Sequence, residues 1–467
     1  MKRTKIICTI GPASDKKTVL KQLISNGMNV ARLNFSHNVH DYHLKVLKTI
    51  RLLSKEMKNP IAVIADLQGP RIRLGDLPKK GIVLKAGQKI VFTTSDNSQK
   101  GEVPVTYQKM HEDIEPKDRI LIADGLIELI VDKIKGQKIS CKVKVPGLLI
   151  SHKGINLPDS DIKLSSLTEK DKEDLDFVIQ HQVDFIAISF VRDESDIHNL
   201  KALINKTIKK HKLSDSYQPK VIVKIERREA IHNIDKIIEA TDALMVARGD
   251  LGTELSVSEV PILQKMIIDK CQKSAKPVIV ATQMLESMTK NPRPTRAEVS
   301  DVANAIIDHT DAVMLSGETA IGAYPKQAVG MLNKIAIDTE KSVYDDYVLQ
   351  DKINKIHDNK EELSRTIKAL CDESGIKAIV LSVDKFDLAT LISRYRPEVA
   401  IYVCSENQTL VNQLSLVWAV NSHFIKNNDV ETFYKKLVRN KTIKNGNKSL
   451  IVKNVNKKIE DVRIEII

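Results

Sequence analysis

Two neighbouring segments decide the fold: Val221-Ile-Val-Lys-Ile-Glu226 and Ala243-Leu-Met-Val-Ala-Arg-Gly-Asp250. Each begins with a short apolar run that ends in a charged residue, which predicts the strands Val221–Glu226 and Ala243–Arg248, and a helical pattern separates the two. Six more runs of this kind, each followed by a helical pattern, occur at Ile6–Ile10, Asn29–Arg32, Ala62–Asp66, Asp184–Ser189, Val278–Thr282 and Ala312–Leu315. Eight strand–helix units predict a (β/α)8 TIM barrel, an α/β fold.

The segment between the third and fourth strands is far longer than the others and has the length of a small domain. Its runs alternate in strand fashion, at Gly81–Thr94, Arg119–Asp132 and Lys138–Pro146, with turn signals at Asp124-Gly125 and Lys135-Gly136. We therefore expect residues 70–158 to form an inserted all-β barrel, and residues 1–69 and 159–340 to form the catalytic barrel. Because the insert leaves the carboxyl end of a barrel strand, it is expected to act as a lid over the active-site face.

Residues 350–467 are predicted to form a third, C-terminal α/β domain. Helical stretches alternate there with the strand patterns Ala378–Val383, Ala400–Cys404, Ser449–Val452 and Val462–Ile467.

Composition excludes several classes of protein. The 467 residues contain no apolar run of about 18 that could span a bilayer. The apolar stretch near the N-terminus breaks at Gly11-Pro12, before it reaches the length of a signal peptide, so no export is expected. Five separated cysteines fit reduced thiols in a cytoplasm. The net charge is +13, but the lysines are interleaved with acids and only 4% of residues are aromatic, so we expect no nucleic-acid partner.

Charged residues gather at the ends of the predicted strands, which converge on one face of a barrel. Lys224 and Glu226 share a strand face, and a purely structural buried pair is one explanation for them. Glu226 and Asp250 lie on adjacent strands and are hard oxygen ligands, which suits Mg²⁺ shared with a phosphorylated substrate. With Arg32 and Arg73 nearby, the arrangement favours phosphoryl transfer.

Other chemistries stay open on the residues alone. Lys224 could form a Schiff base in an aldolase or lyase acting on a 2-oxo acid, and a basic RNA-binding or scaffolding protein is the non-enzymatic alternative. The spacing of His37, His40 and His43 does not suit a metal site, and we expect His40 and His43 on the surface. Neither GxxxxGK[ST] nor GxGxxG occurs in the sequence.

Several motifs together resemble the pyruvate kinase family, of the bacterial type. They are Asn29-Val-Ala-Arg-Leu-Asn-Phe-Ser-His37, Val223-Lys-Ile-Glu226, Ala247-Arg-Gly-Asp-Leu-Gly252, Ala281-Thr-Gln-Met-Leu-Glu-Ser287, Pro292-Arg-Pro-Thr-Arg-Ala-Glu298 and Leu315-Ser-Gly-Glu-Thr319. The resemblance is collinear from Thr4 to about Pro325. It implies glycolytic transfer of a phosphoryl group from phosphoenolpyruvate to ADP, followed by protonation of the enolate to pyruvate.

The resemblance also implies residue roles. Lys224, Arg32 and Thr282 would be catalytic, and Arg32, Gly249, Asp250 and Thr282 would bind phosphoenolpyruvate. Glu226 and Asp250 would hold Mg²⁺, which Mn²⁺ can replace. The expected nucleotide contacts are Arg73, Lys153, Asn34 and His37.

Three departures from the family pattern change the expectations. Many members bind K⁺ through equivalents of Asn34, Ser36, Asp66 and the carbonyl of Leu67, and have Glu where this chain has Arg71. Leu67, Gln68 and Leu74 resemble the branch that carries Lys there and does not need K⁺, so we predict a K⁺-independent enzyme in which Arg71 replaces the ion.

The other two departures lie in the C-terminal domain. The stretch Leu381-Ser-Val-Asp-Lys-Phe-Asp387 has two carboxylates and no glycine, which predicts a degraded sugar-phosphate effector loop. The tail, residues 441–467, lacks the usual Gly-Val-Pro loop. The resemblance implies a homotetramer.

Overall fold

The computed structural model describes residues 2–95, 97–345, 359–444, 446–455 and 458–466. Eight parallel strands form a closed barrel in the order β1-β16-β15-β14-β13-β12-β3-β2, so the predicted fold class is confirmed. The barrel strands are β1 Lys5–Thr9, β2 Val30–Asn34, β3 Ala62–Asp66, β12 Phe185–Ile188, β13 Lys220–Ile225, β14 Ala243–Ala247, β15 Val278–Ala281 and β16 Ala312–Leu315. All eight predicted runs are confirmed, with ends that differ by at most two residues.

Each barrel strand is buried on both faces, which explains its nearly continuous apolar sequence. Ile222 packs with the residues that fill the barrel, whereas Val221 and Val223 pack against the surrounding helices. Side chains alternate along a strand, so Lys224 shares the inward face of Ile222 and stands at the carboxyl end of the barrel.

Helices cover the outside of the barrel. They are α1 Lys17–Ser25, α2 His40–Glu56, α4 Glu169–Gln180, α5 Glu194–Lys210, α6 Arg228–His232, α7 Ile234–Ala240, α8 Arg248–Glu254, α9 Val260–Lys273, α10 Arg296–Ile307, α11 Gly317–Ala320 and α12 Pro325–Thr339, with 3₁₀ turns at Glu286–Thr289 and Val343–Asp345. Capping boxes begin two of them: Thr168 with Asp171 for α4, and Thr295 with Glu298 for α10.

The insert between β3 and β12 has its own apolar core. Its strands are β4 Ile82–Leu84, β5 Lys89–Thr93, β6 Glu102–Pro104, β7 Arg119–Ile122, β8 Ile127–Lys135, β9 Lys138–Val145, β10 Gly147–Leu149 and β11 Ile155–Asn156. Six of them form one sheet, and β10 pairs with β4. A four-residue helix, α3 Met110–Asp113, also occurs, and alternation alone did not predict it.

The C-terminal sheet has the order β19-β18-β17-β20-β21, with β21 antiparallel. Its elements are α13 Asn359–Glu373, β17 Ile376–Ser382, α14 Phe386–Arg394, β18 Ala400–Ser405, α15 Gln408–Gln413, β19 Val420–Phe424, α16 Val430–Arg439, β20 Lys448–Val455 and β21 Lys458–Ile466, with 3₁₀ turns at Leu414–Leu416 and Lys426–Asn428. The four predicted strands are present, and β19 was missed. The expected domain start at residue 350 and strand end at Ile467 lie outside the described residues.

The C-terminal sheet closes the amino-terminal end of the barrel. Leu416 is fully buried among the residues that fill the barrel interior. Ser415 donates a hydrogen bond to the Pro60 carbonyl, and Arg396 donates to the His309 carbonyl at 2.7 Å. The opposite, carboxyl end is therefore where a substrate can enter.

Across the described ranges, no helix has both the length and the apolar character needed to cross a membrane. The five cysteines are free thiols and all are buried.

Two glycines provide a matched test of the packing. A Cβ on Gly11 would lie 2.6 Å from the backbone oxygen of Ala320, whereas one on Gly330, inside α12, would meet only Asn26 Nδ2 at 3.9 Å. Gly11→Ala is expected to destabilise the protein by about 1–3 kcal/mol through overpacking. Gly330→Ala is expected to stabilise it by about 0.5–1 kcal/mol, because alanine favours a helix interior.

Urea midpoints of the two variants, compared with the parent chain, measure these effects. Equal midpoints for both variants would contradict the close approach at Gly11.

Candidate active site

A buried cluster of opposite charges occupies the carboxyl end of the barrel. Lys224 Nζ lies 2.7 Å from Glu226 Oε1 and 3.5 Å from Asp66 Oδ1, and it donates a hydrogen bond to Ser189 Oγ at 2.9 Å. Arg32 Nε donates to Asp66 Oδ2 at 2.7 Å. The two carboxylates are each 1% exposed, so both are held by cations rather than by water.

Burial and charge act in opposite directions on Lys224. Burial alone would lower its pKa, but Asp66, Glu226 and Asp250 outweigh burial and raise the pKa above the ordinary value for lysine. Lys224 is therefore a protonated ammonium at neutral pH. A lysine held in this state is a poor Schiff-base nucleophile, which disfavours the aldolase alternative.

The pKa of Glu226 is raised as well, but here burial is the main cause and favours the neutral carboxyl. Burial raises its pKa to about 7, with Asp250 adding to the rise and Lys224 opposing it. Glu226 Oε2 also accepts a hydrogen bond from the Phe190 amide at 2.8 Å. Glu226 and Asp250 are thus close enough to repel each other, and a cation between them would relieve that repulsion.

Asp250 lies in the first turn of α8, directly after β14. Its Oδ1 accepts a hydrogen bond from Arg71 Nη2 at 3.0 Å, and Arg71 lies at the start of the insert. The structure therefore brings Arg71 to Asp250, whereas Asp66 is paired with Arg32 and Lys224.

Thr282 follows β15 in a left-handed conformation. Its φ is 68°, and that of Gln283 is 54°, which is uncommon for residues other than glycine. The Thr282 hydroxyl accepts a hydrogen bond from the Gly249 amide at 2.9 Å. The hydroxyl of Thr282 and the start of α8 are thereby placed side by side.

Arg248 holds this strained turn in place. Its Nη2 donates to the carbonyls of Thr282 at 2.7 Å and Gln283 at 3.3 Å, while Nη1 pairs with Asp301 at 2.8 Å. Arg248, predicted as the last residue of the strand Ala243–Arg248 and without a predicted role, is the first residue of α8.

A cleft of about 330 Å³ separates the insert from the barrel. Arg71, Arg73 and Lys153 line one side, and Phe190 and Glu254 lie on the barrel side. Burial lowers the pKa of His37, and the charges of Arg73, Arg71 and Arg32 lower it further. His37 is therefore within electrostatic range of these three arginines.

Arg71 also lines a neighbouring cavity of about 850 Å³ with Gly249, Asp250 and Thr282. The two cavities share Asp124 as well, so Arg73 and Lys153 face a space that adjoins the one lined by Gly249, Asp250 and Thr282.

Three of the four residues predicted for a monovalent ion have an oxygen that accepts a hydrogen bond, whereas Asp66 Oδ1 has only the 3.5 Å ion pair with Lys224. Asn34 Oδ1 accepts from the Ser36 amide at 3.1 Å, and the Leu67 carbonyl accepts from Ser189 Oγ at 2.9 Å. Asp66 Oδ2 is bonded to Arg32. The structure brings Asp66 into the main cluster, and it shows no contact of Arg71 with these oxygens within the described ranges.

Sequence reasoning missed several supporting residues. Thr9 accepts a hydrogen bond from Arg32 Nη1 at 3.0 Å, and Ser189 accepts from Lys224. Both are polar residues at strand ends, which is the signal that could have identified them. His43 was expected on the surface but is 2% exposed and stacks on Phe35, because α2 turns it inward.

The fold and the cluster together define a class of protein, the (β/α)8-barrel enzymes that act on anionic substrates at the carboxyl ends of the strands. A family description of the pyruvate kinase barrel domain matches residues 1–329, and that of the pyruvate kinase alpha/beta domain matches residues 361–462. The chain belongs to the pyruvate kinase family and is accordingly a phosphotransferase.

Individual relatives agree with this assignment. The pyruvate kinase of Geobacillus stearothermophilus is 41% identical over 423 residues, which are 90% of this chain and 71% of the relative. That of Sporosarcina psychrophila is 41% identical over 425 residues, with the same two shares. That of Clostridium acetobutylicum is 37% identical over 424 residues, which are 90% of this chain and 88% of the relative.

The Arg248 contacts predict a positioning role. Arg248→Met removes the donors that hold the Thr282 and Gln283 carbonyls, so the hydroxyl of Thr282 is expected to shift. A displacement of about 1 Å can reduce turnover by about 100-fold. We expect kcat to fall by that order while KM for the nucleotide stays within about threefold, as measured by steady-state kinetics.

Asp301→Asn is the matched control, because it keeps the guanidinium and its bonds to the two carbonyls. If both variants lost kcat equally, the Asp301 ion pair rather than the carbonyl contacts would be responsible.

Proposed function

We propose that this chain transfers the phosphoryl group of phosphoenolpyruvate to ADP, forming ATP and pyruvate. The observation that carries the proposal is the Lys224 ammonium, held charged beside Asp66 and Glu226 at the open end of the barrel, with Arg32 next to it. Phosphoryl transfer is accelerated mainly by positioning and by positive charge around the transferred group.

Lys224 and Arg32 would act on the transferred group. An oxygen of the ADP β-phosphate attacks phosphorus, the bond from phosphorus to the enol oxygen breaks, and its electron pair stays on the enolate. Arg32 binds the phosphate, and Lys224 stabilises the charge in flight. Thr9, Ser189 and the two carboxylates fix the orientation of these cations before substrate arrives.

Gly249, Asp250 and Thr282 would bind the substrate carboxylate. The Gly249 amide donates to Thr282 Oγ1, and the carboxylate would take over that hydrogen bond on binding. The Thr282 hydroxyl would also relay the proton that the enolate carbon takes up, completing pyruvate.

Glu226 and Asp250 fit a divalent cation. They are two hard oxygen donors whose mutual repulsion a cation would relieve, and substrate and water would complete the coordination. The family generally uses a divalent metal, and here Mg²⁺, or Mn²⁺ in its place, would supply positive charge to the substrate oxygens. 

Arg73 and Lys153 would bind the ADP phosphates in the cleft below the insert, with Asn34 and His37 at its edge. The insert, residues 70–158, would close as a lid that excludes water from the transfer. Asn156 of the insert already contacts Glu254 of the barrel at 3.3 Å.

We also propose that the enzyme does not require K⁺. One oxygen each of Asn34, Asp66 and Leu67 accepts a hydrogen bond, which supports a vestigial or weak ion site at Asn34, Ser36, Asp66 and Leu67. Arg71 would supply a fixed positive charge beside Asp250, with which it forms an ion pair.

The effector loop is proposed to be degraded. The Asp387 carboxylate accepts from the Leu388 amide at 2.9 Å and pairs with Lys360, while Asp384 accepts from Asn428. Carboxylates therefore occupy the donors that a phosphate would need at the start of α14.

A homotetramer in the cytoplasm completes the proposal. Val462, Ile464 and Ile466 expose apolar side chains along the edge strand β21, which supports a contact with another subunit through residues 350–467. Five buried free thiols favour a reducing compartment.

Lys224→Gln tests the function directly. In a coupled assay with phosphoenolpyruvate and ADP, its kcat is expected to fall by about 10²–10³-fold, the usual cost of losing one charge-stabilising donor. Lys220→Gln on the same strand, where Lys220 pairs with Asp242, is the control and should stay within about twofold.

A parent chain that is inactive in this assay but trapped at Lys224 by borohydride would instead support an aldolase.

The monovalent-ion proposal has its own test. In buffer free of K⁺ and Na⁺, adding K⁺ is expected to change kcat of the parent chain by less than about twofold. Arg71→Glu should create a requirement for K⁺, with activation of about tenfold or more, because it removes the fixed charge. Tenfold activation of the parent chain would disprove the proposal.

For the effector loop, we expect no saturable activation by fructose 1,6-bisphosphate in steady-state kinetics. Activation that disappears in Ser382→Ala or Lys385→Ala would show that the loop still binds phosphate.

A further inference from the structure

A second cleft lies between the barrel and the C-terminal sheet. It encloses about 460 Å³, a volume typical of small-molecule sites. One wall is the end of α2 with Arg51, Lys55 and Lys58, and the other is formed by His423 and Phe424 of β19 with Lys436 of α16. Since α2 ends just before β3 begins, this α2–β19 cleft lies at the amino-terminal end of the barrel, opposite the active site.

The cleft is rich in positive charge that has no partner. Among the described residues, no carboxylate lines it, and Lys55, Lys58 and Lys436 have no ion pair there. Arg51 is the exception, because its Nη1 is bonded to the buried Asp184 at 2.8 Å. The neighbouring Glu56 is taken by Lys17 at 2.9 Å.

The arrangement differs from an ordinary surface patch of lysines in being concave and drawn from two domains. Lys55 near the end of α2, Lys58 just after that helix and Lys436 on α16 all line the same concavity. Cations of one sign around one concavity give it a positive potential, which favours binding of an anion.

His423 and Phe424 add features suited to an organic anion. Burial, and then the charge of Lys436, lowers the pKa of His423 to about 4, so its ring is neutral at physiological pH and can either donate or accept one hydrogen bond. Phe424 is 50% exposed and, with Val411 and Pro60, supplies an apolar surface.

We propose that the α2–β19 cleft binds a small polyanion bearing phosphate groups, held between the barrel and the C-terminal sheet by Lys55, Lys58 and Lys436. These three lysines account for part of the net charge of +13 that the cations of the active site do not explain. A bound polyanion would link α2, which follows the strand carrying Arg32, to the C-terminal sheet.

Isothermal titration of the full chain with inorganic pyrophosphate, in EDTA, tests the proposal. The double variant K55Q/K436Q is expected to bind at least about tenfold more weakly, since each charged contact is worth about that factor. The control K45Q/K435Q removes two exposed lysines from the same helices outside the cleft and should change binding by less than about twofold.

Two results would overturn the proposal: no binding by the parent chain at millimolar pyrophosphate, or equal affinity for K55Q/K436Q and the parent. Equal affinity would place any bound pyrophosphate at the active site. Because the readout is binding, the test is independent of whether the chain transfers phosphoryl groups.

Further titrations with a nucleoside monophosphate and a sugar bisphosphate identify the source of the phosphate. A nucleotide that binds more tightly than pyrophosphate, and loses that advantage in Phe424→Ala, indicates stacking of the base. Tighter binding of either probe than of pyrophosphate supports the proposal, provided that K55Q/K436Q weakens the binding of that probe.

Discussion

The site depends on one electrostatic arrangement, the Lys224 ammonium held among Asp66, Glu226 and Asp250. Burial of a lone ammonium would drive off its proton, and burial of a lone carboxylate would draw one in. The barrel offsets these costs for Lys224 and Asp66 by bringing β3 and β13 together, whereas burial still raises the pKa of Glu226. Arg32 joins the network through Asp66. The cluster is therefore oriented before any substrate binds, which is the condition for electrostatic catalysis.

The insert and the C-terminal domain cover the two opposite ends of the barrel. The insert brings Arg71, Arg73 and Lys153 over the open end, while Leu416 closes the other end as part of the barrel core. At the amino-terminal end an apolar side chain fills the barrel interior and polar contacts surround it, whereas the carboxyl end is charged and accessible. Stability and chemistry are thus divided between the two ends of one barrel, as is usual for this fold.

Much of this organisation follows from the sequence because the barrel strands are buried on both faces. Ala62–Asp66 and Ala312–Leu315 were predicted to the residue, since continuous apolar runs with polar ends are distinctive. β19 was missed because Asn421, Ser422 and His423 interrupt its pattern, and only tertiary packing makes it a strand. Arg248 and His43 were misjudged for a similar reason. Arg248 contacts Thr282, which is distant in sequence and is brought near only by folding of the barrel. His43 stacks on Phe35 because of the orientation of α2.

The protonation state of Lys224 is the central claim, and competitive acetylation followed by peptide mass spectrometry measures it. Reactivity would be recorded from about pH 6 to about pH 11, relative to an exposed lysine of ordinary pKa near 10.4. The account predicts that Lys224 becomes reactive only above the pH at which that reference lysine does, because the three carboxylates hold its proton. Rapid labelling of Lys224 near neutral pH would show an uncharged amine and contradict the account.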